Sequence, residues 1–128
     1  MKFIGFNQFV WWEDYENSIP YNQTKMILSN IDHFEDLLNL EKNHIRYGKF
    51  AGSSVMRNNR LGSIDNFNTN IRNELNSPLS KALQAVKTSE NIIEKLKPDM
   101  VVLIDNGYTP YGELSDVCMN RNIPIIAW

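Results

Sequence analysis

The densest set of groups able to do chemistry follows an apolar run, MVVLI, at residues 100–104. It reads Asp105, Asn106, Gly107, Tyr108, Thr109, Pro110, Tyr111, Gly112. In open α/β sheets the ligand crevice lies beyond the carboxyl ends of the parallel strands, so a strand at 100–104 sends this loop into one. Asp105 and Asn106 supply hydrogen-bonding groups, and Gly107 lets the backbone approach a ligand. A helix starting near Tyr111 adds free N–H groups and a partial positive charge. Asn106 both donates and accepts, which suits sugar hydroxyls, while Tyr108 and Tyr111 offer faces for the C–H side of a pyranose. The same eight residues also serve as an ordinary tight turn and helix cap.

Arg57 and Arg60, in VMRNNRLGSID, are the second candidate. Two guanidiniums on a turn after a short helix can grip a phosphate or carboxylate bidentately. The charge count equally supports a solvated pair or a salt bridge to a nearby Asp. His33 and His44 are isolated and read as surface or helix-end residues rather than bases. Cys118, between Val117 and Met119, reads as a small core residue. Trp11 and Trp12 can form a platform for a sugar ring or simply belong to the core. Asp105 at the end of a strand also suggests the phosphoacceptor of a receiver domain. That site needs an acidic pair at the end of the first strand, and Glu13 and Asp14 lie too far upstream.

These groups need elements to hold them. Ser77 reads as an N-cap and Pro78 as the first helical residue of a helix over 77–97, with Leu79, Leu83, Val86, Ile93 and Leu96 as its buried stripe. MVVLI reads as a strand buried on both faces. A helix over 111–120 and a strand over 123–127 follow, and a right-handed crossover makes the two strands parallel neighbours. Upstream, Ile27, Leu28, Ile31, Phe34 and Leu38 follow helical spacing from Thr24. Asp32 and Glu35 suggest a cap near His33, giving one bent helix or two short ones. Residues 51–56 suggest another short helix, Gly48, Gly52 and Gly62 mark turns or close approaches, and residues 3–10 suggest a strand. The expected class is therefore α/β, Rossmann-like, an open parallel sheet with flanking helices.

The 128 residues amount to one domain, enough to bury a core without disulfides or metal. One cysteine and two histidines exclude a disulfide framework and a Cys/His zinc site, and a reducing, cytoplasmic compartment fits. A net charge of −2, with no block of Lys and Arg, argues against nucleic acid as a partner. The N-terminal apolar run is broken by Asn7 and Gln8 and followed by Glu13 and Asp14, unlike a signal peptide. No stretch approaches the roughly 18 apolar residues of a membrane span. A strand ending at Trp128 without cover suggests the front piece of a longer protein, with an apolar surface around Ile125, Ile126 and Trp128.

The run YGKFAGSSVMRNNRLGSID, a long helix, and KPDMVVLIDNGYTPYGELSDVCMNRNIPIIAW together resemble the N-terminal part of bacterial surface-polysaccharide and capsule biosynthesis proteins of the GT-B glycosyltransferase type. Gly48, Ala51, Ser53, Ser54 and Arg57 carry the first part of the match. Pro98, Asp99, Asn106, Gly107, Tyr111, Gly112, Ile123 and Pro124 carry the second. The resemblance covers 47–128, leaving 1–46 as an unassigned aromatic and helical lead-in. Many relatives have a His where this chain has Asn106, which leaves hydrogen bonding rather than acid–base work at that position.

The resemblance implies an incomplete GT-B N-terminal domain forming the acceptor side of a sugar transferase. Its partners would be a saccharide acceptor and a nucleotide sugar, the donor being held by a C-terminal domain of the same chain, with no other cofactor and no metal. Its place would be the cytoplasm or, peripherally, the inner face of the membrane. Asp105, Asn106, Gly107, Tyr108, Tyr111, Gly112, Arg57 and Arg60 are the expected substrate-binding residues, and this piece would not transfer sugar alone. The alternative is a non-catalytic α/β binding or regulatory domain of the receiver type.

Overall fold

A computed structural model describes residues 11–16, 21–65 and 67–127. The strand expected at 3–10 and the environment of Trp128 lie outside the described residues. After a short 3₁₀ turn at Trp12–Tyr15, the order is α1 (Tyr21–Ser29), α2 (Phe34–Leu38), α3 (Tyr47–Asn59), α4 (Thr69–Leu96), β1 (Val101–Leu103), α5 (Tyr111–Asn120) and β2 (Ile125–Ala127).

The expected Rossmann-like open sheet is not what the chain forms. Among the described residues helices make up most of the structure, and the sheet has two strands. They are parallel, as the crossover rule requires, with Val101 opposite Ile125, Val102 opposite Ile126 and Leu103 opposite Ala127. The apolar run at 100–104 is not buried on both faces. Leu103 is buried, but Val102 is 62% and Ile104 81% exposed, because only the face toward the helices is covered. A run of apolar residues fixes strand propensity, not how many layers cover the strand.

The centre of the molecule is instead α4, with α3 and α5 packed along it. Its apolar face, Leu75, Leu79, Ala82, Leu83, Val86 and Ile93, meets Ala51 and Val55 of α3 and Val117 and Cys118 of α5 in one core. Leu96, expected in that stripe, is exposed at the helix end. The helix also starts nine residues before the predicted point, at Thr69 rather than Pro78. Asn68, not Ser77, is the N-cap, its Oδ1 accepting from the N–H groups of Asn70 (3.0 Å) and Ile71 (3.1 Å). Pro78 lies inside the helix. Lacking an N–H, it leaves the Glu74 carbonyl without its usual donor, on a side of α4 that faces an open cleft.

Two short helices, not one bent one, occupy the region after residue 20. The second is capped not by the expected Asp32 and Glu35 but one residue later, at His33, whose N–H donates to Asp36 Oδ2 at 2.9 Å. Gly48 and Gly52 lie in α3 where other elements cross it. A Cβ at Gly48 would overlap the Leu37 carbonyl, and one at Gly52 would stand 2.9 Å from Leu38 Cδ2. Arg46, just before α3, donates to Asp116 of α5 through Nε (3.0 Å), Nη2 (2.7 Å) and its backbone N–H (2.9 Å). Among the described residues no helix is long and apolar enough to cross a membrane.

Candidate functional site

The loop after β1 rises between the C-terminal half of α3 and the middle of α4. There it closes one end of a cleft of about 490 Å³. From α3 come Ser54, Val55, Arg57, Asn58 and Asn59, from α4 come Glu74, Ser77, Pro78 and Lys81, and from the loop come Tyr108 and Thr109. A second hollow of about 400 Å³ lies across Arg57 and Tyr108, lined also by Lys49, Ser53, Met56, Leu61, Gly62 and Gly107. The wall shared by the two is a stack, with the Arg57 guanidinium 4.6 Å from the centre of the Tyr108 ring.

The polar groups of the cleft are partly pre-set. Asn59 Nδ2 donates to the Val55 carbonyl (3.1 Å) and to Glu74 Oε2 (2.9 Å), tying the end of α3 to α4. Ser54 donates to the Phe50 carbonyl at 2.8 Å, which leaves its oxygen able to accept. Thr109 donates at 2.8 Å to Oε1 of Glu113, and Glu113 is completely buried. Burial pushes the Glu113 carboxyl up to about 8; the Thr109 hydroxyl and the residue's own backbone N–H pull it down, and the neighbouring charge of Asp116 raises it further. Its Oε2 is buried with no hydrogen-bond partner, so nothing there offsets the burial of a charge.

The expected site residues divide. Arg57, Gly107 and Tyr108 come together at the two hollows. Asp105 accepts the Gly107 N–H at 2.7 Å, so one oxygen of its carboxylate serves its own turn. Asn106 is exposed and lines neither hollow. Tyr111 is an exposed first residue of α5. Gly112 is buried against the Phe50 ring, and its N–H donates to the Tyr108 carbonyl at 2.8 Å, so it is not free for a ligand. Arg60 stands apart from Arg57 as the left-handed C-cap of α3, at φ 55°. Among the described residues no group of three His, Cys, Asp or Glu is placed to hold a metal ion.

Apart from Arg57, sequence reasoning missed the contribution of α3 and α4. Glu74, Ser77 and Lys81 are spaced by three and four, as are Ser54, Arg57 and Asn58, so each set forms a polar stripe beside an apolar one. That spacing was the available signal. Comparison of the chain with protein-family models, curated proteins and solved structures returns no match.

Proposed function

We propose that the cleft binds a saccharide, and that the chain is the acceptor-side part of a glycosyltransferase of cell-surface polysaccharide assembly, working on the cytoplasmic side of the membrane. The sugar would come from a nucleotide-sugar donor bound outside these residues. The observation that carries the reading is the composition of the cleft around Tyr108. A half-buried aromatic ring stands beside side-chain amides and hydroxyls from Asn58, Asn59, Ser77 and Thr109. Sugars present C–H faces and hydroxyls that both donate and accept, and Asn, Ser and Thr side chains match them in both senses. The cleft is within the size range of small-ligand sites. The resemblance of residues 47–128 to capsule biosynthesis proteins points to the same ligand class.

The test is titration of the chain with a panel of mono- and disaccharides, read by amide and tyrosine NMR shifts. Shifts should centre on Tyr108, Thr109, Asn58 and Ser77. Tyr108→Ala should weaken binding by about tenfold, the scale of one lost aromatic contact. Absence of any shift at millimolar sugar, or shifts centred elsewhere, refutes the reading.

A further inference from the structure

Three cations border the two hollows: Lys81 the first, Lys49 the second, and Arg57 both. Among the described residues Glu74 is the only carboxylate lining either, and one of its oxygens is engaged by Asn59. The chain as a whole has more acids than bases, 15 against 13, so this excess of positive charge is local.

Arg57 differs from the arginines that build the fold. Arg46 is bound bidentately to Asp116, and Arg72 donates to the backbone carbonyls of Leu28 (3.0 Å), Ile31 and Asp32. Among the described residues the Arg57 side chain makes no hydrogen bond and has no carboxylate within 4.0 Å; its plane rests on Tyr108. A guanidinium stacked in this way is held in position while its N–H edge stays open, the state in which it recognises a planar or tetrahedral oxyanion. Lys49 and Lys81 are exposed, and neither has an ion-pair partner among the described residues.

We propose that the two hollows form one groove for an anionic saccharide, a sugar bearing a phosphate ester or a carboxylate, with Arg57 on the oxyanion and Lys49 and Lys81 at its flanks. This rests on the saccharide reading above and adds the charge of the ligand to it. An anionic sugar fits better than a nucleic acid, because three cations in a chain of net charge −2 give too small a field for a polyphosphate backbone.

The probes are glucose, glucose 1-phosphate, glucuronate, inorganic phosphate and a short single-stranded oligonucleotide, each titrated by calorimetry and NMR at low and high salt. At least one charged sugar should bind tenfold or more tightly than glucose and than inorganic phosphate, and salt should weaken it. The ratio of glucose 1-phosphate to glucuronate shows which oxyanion the groove takes. Arg57→Gln and Lys81→Gln should each lower the affinity for the charged sugar about five- to tenfold, a larger loss than either causes for glucose, with the melting temperature unchanged. Equal binding of glucose and both charged sugars, or an equal loss for both in Arg57→Gln, overturns the anionic groove and leaves the saccharide reading standing. Phosphate binding as tightly as the charged sugars, with no response to glucose, removes both. Tighter binding of the oligonucleotide overturns the proposal in favour of nucleic acid.

Discussion

Replacing Glu113 by Gln should raise stability, and by an amount that depends on pH. The folded-state value of about 8 lies above the ordinary 4.5, so the folded protein keeps a proton that the unfolded chain loses. At low pH both states are protonated and burial of the carboxyl carries no ionic penalty. As pH rises from about 4.5 to about 8 the unfolded chain is increasingly favoured, at about 1.4 kcal/mol per pH unit. Above that window the loss levels off at about 5 kcal/mol, a large part of a typical domain's stability. Gln accepts the Thr109 hydrogen bond equally well, and its amide replaces an oxygen that has no partner in either protein. The two proteins should therefore match within about 1 kcal/mol at pH 4.5 and differ by about 5 kcal/mol at pH 8.5, with the variant the more stable. In urea that difference is a midpoint shift of roughly 2–3 M, readable by tryptophan fluorescence. The exposed histidines are common to both proteins and cancel. Stopping at pH 8.5 keeps clear of Cys118 and Tyr47, whose protons are also held more firmly by burial. A wild-type midpoint that does not fall between pH 5 and 8.5, or a variant with the same slope, would refute the reasoning.

Gly112→Ala should destabilise by about 2 kcal/mol despite the better helix propensity of Ala, because the new methyl overlaps the buried Phe50 ring; thermal melting checks this. Gly48→Ala should cost more, about 3 kcal/mol, since the obstacle is the Leu37 carbonyl, which cannot rotate away; urea midpoints of the two variants rank them. Arg46→Ala should cost about 3 kcal/mol by leaving the buried Asp116 carboxylate one partner, at the low end for a broken buried pair because the Arg46 side chain is 44% exposed; adding Asp116→Asn should recover part of the loss. Lys97→Gly should stabilise by about 1 kcal/mol, because the C-cap of α4 holds a left-handed φ of 44°; a higher melting temperature is the expected readout.

What could be read in advance was what local pattern determines. The parallel pairing, α5 and the burial of Cys118 follow from period, turn residues and the strand–helix–strand order, whereas the cap expected from Asp32 and Glu35 falls one residue later, on His33 and Asp36. The start of α4 was misread because Ser77 and Pro78 imitate a cap and first turn, while Ile71, Leu75 and Leu79, four apart, continue the apolar stripe through them. The open sheet failed because coverage of a strand is decided by distant elements. Of the site, the loop gave Gly107 and Tyr108, and Arg57 stood out as a cation, though it lies in the last turn of α3 and not on a turn after a shorter helix. Nothing in the sequence marks Glu113, which folding buries completely with the Thr109 hydroxyl on its Oε1. Arg46 and Asp116 stand 70 residues apart, beyond any spacing rule.

That separation governs the lifetime of the folded molecule. A bond between residues 70 apart closes a chain loop containing all of α3, α4 and β1. Bringing such distant ends together costs entropy that no local contact offsets, so the pair can form only after α3 and α5 have settled on α4. An interaction made that late is absent at the folding barrier and present in the native state, and it slows escape without hastening arrival. The Arg46–Asp116 pair is in this sense a latch: it lengthens the time for which the start of α3 and α5 stay together once they have met.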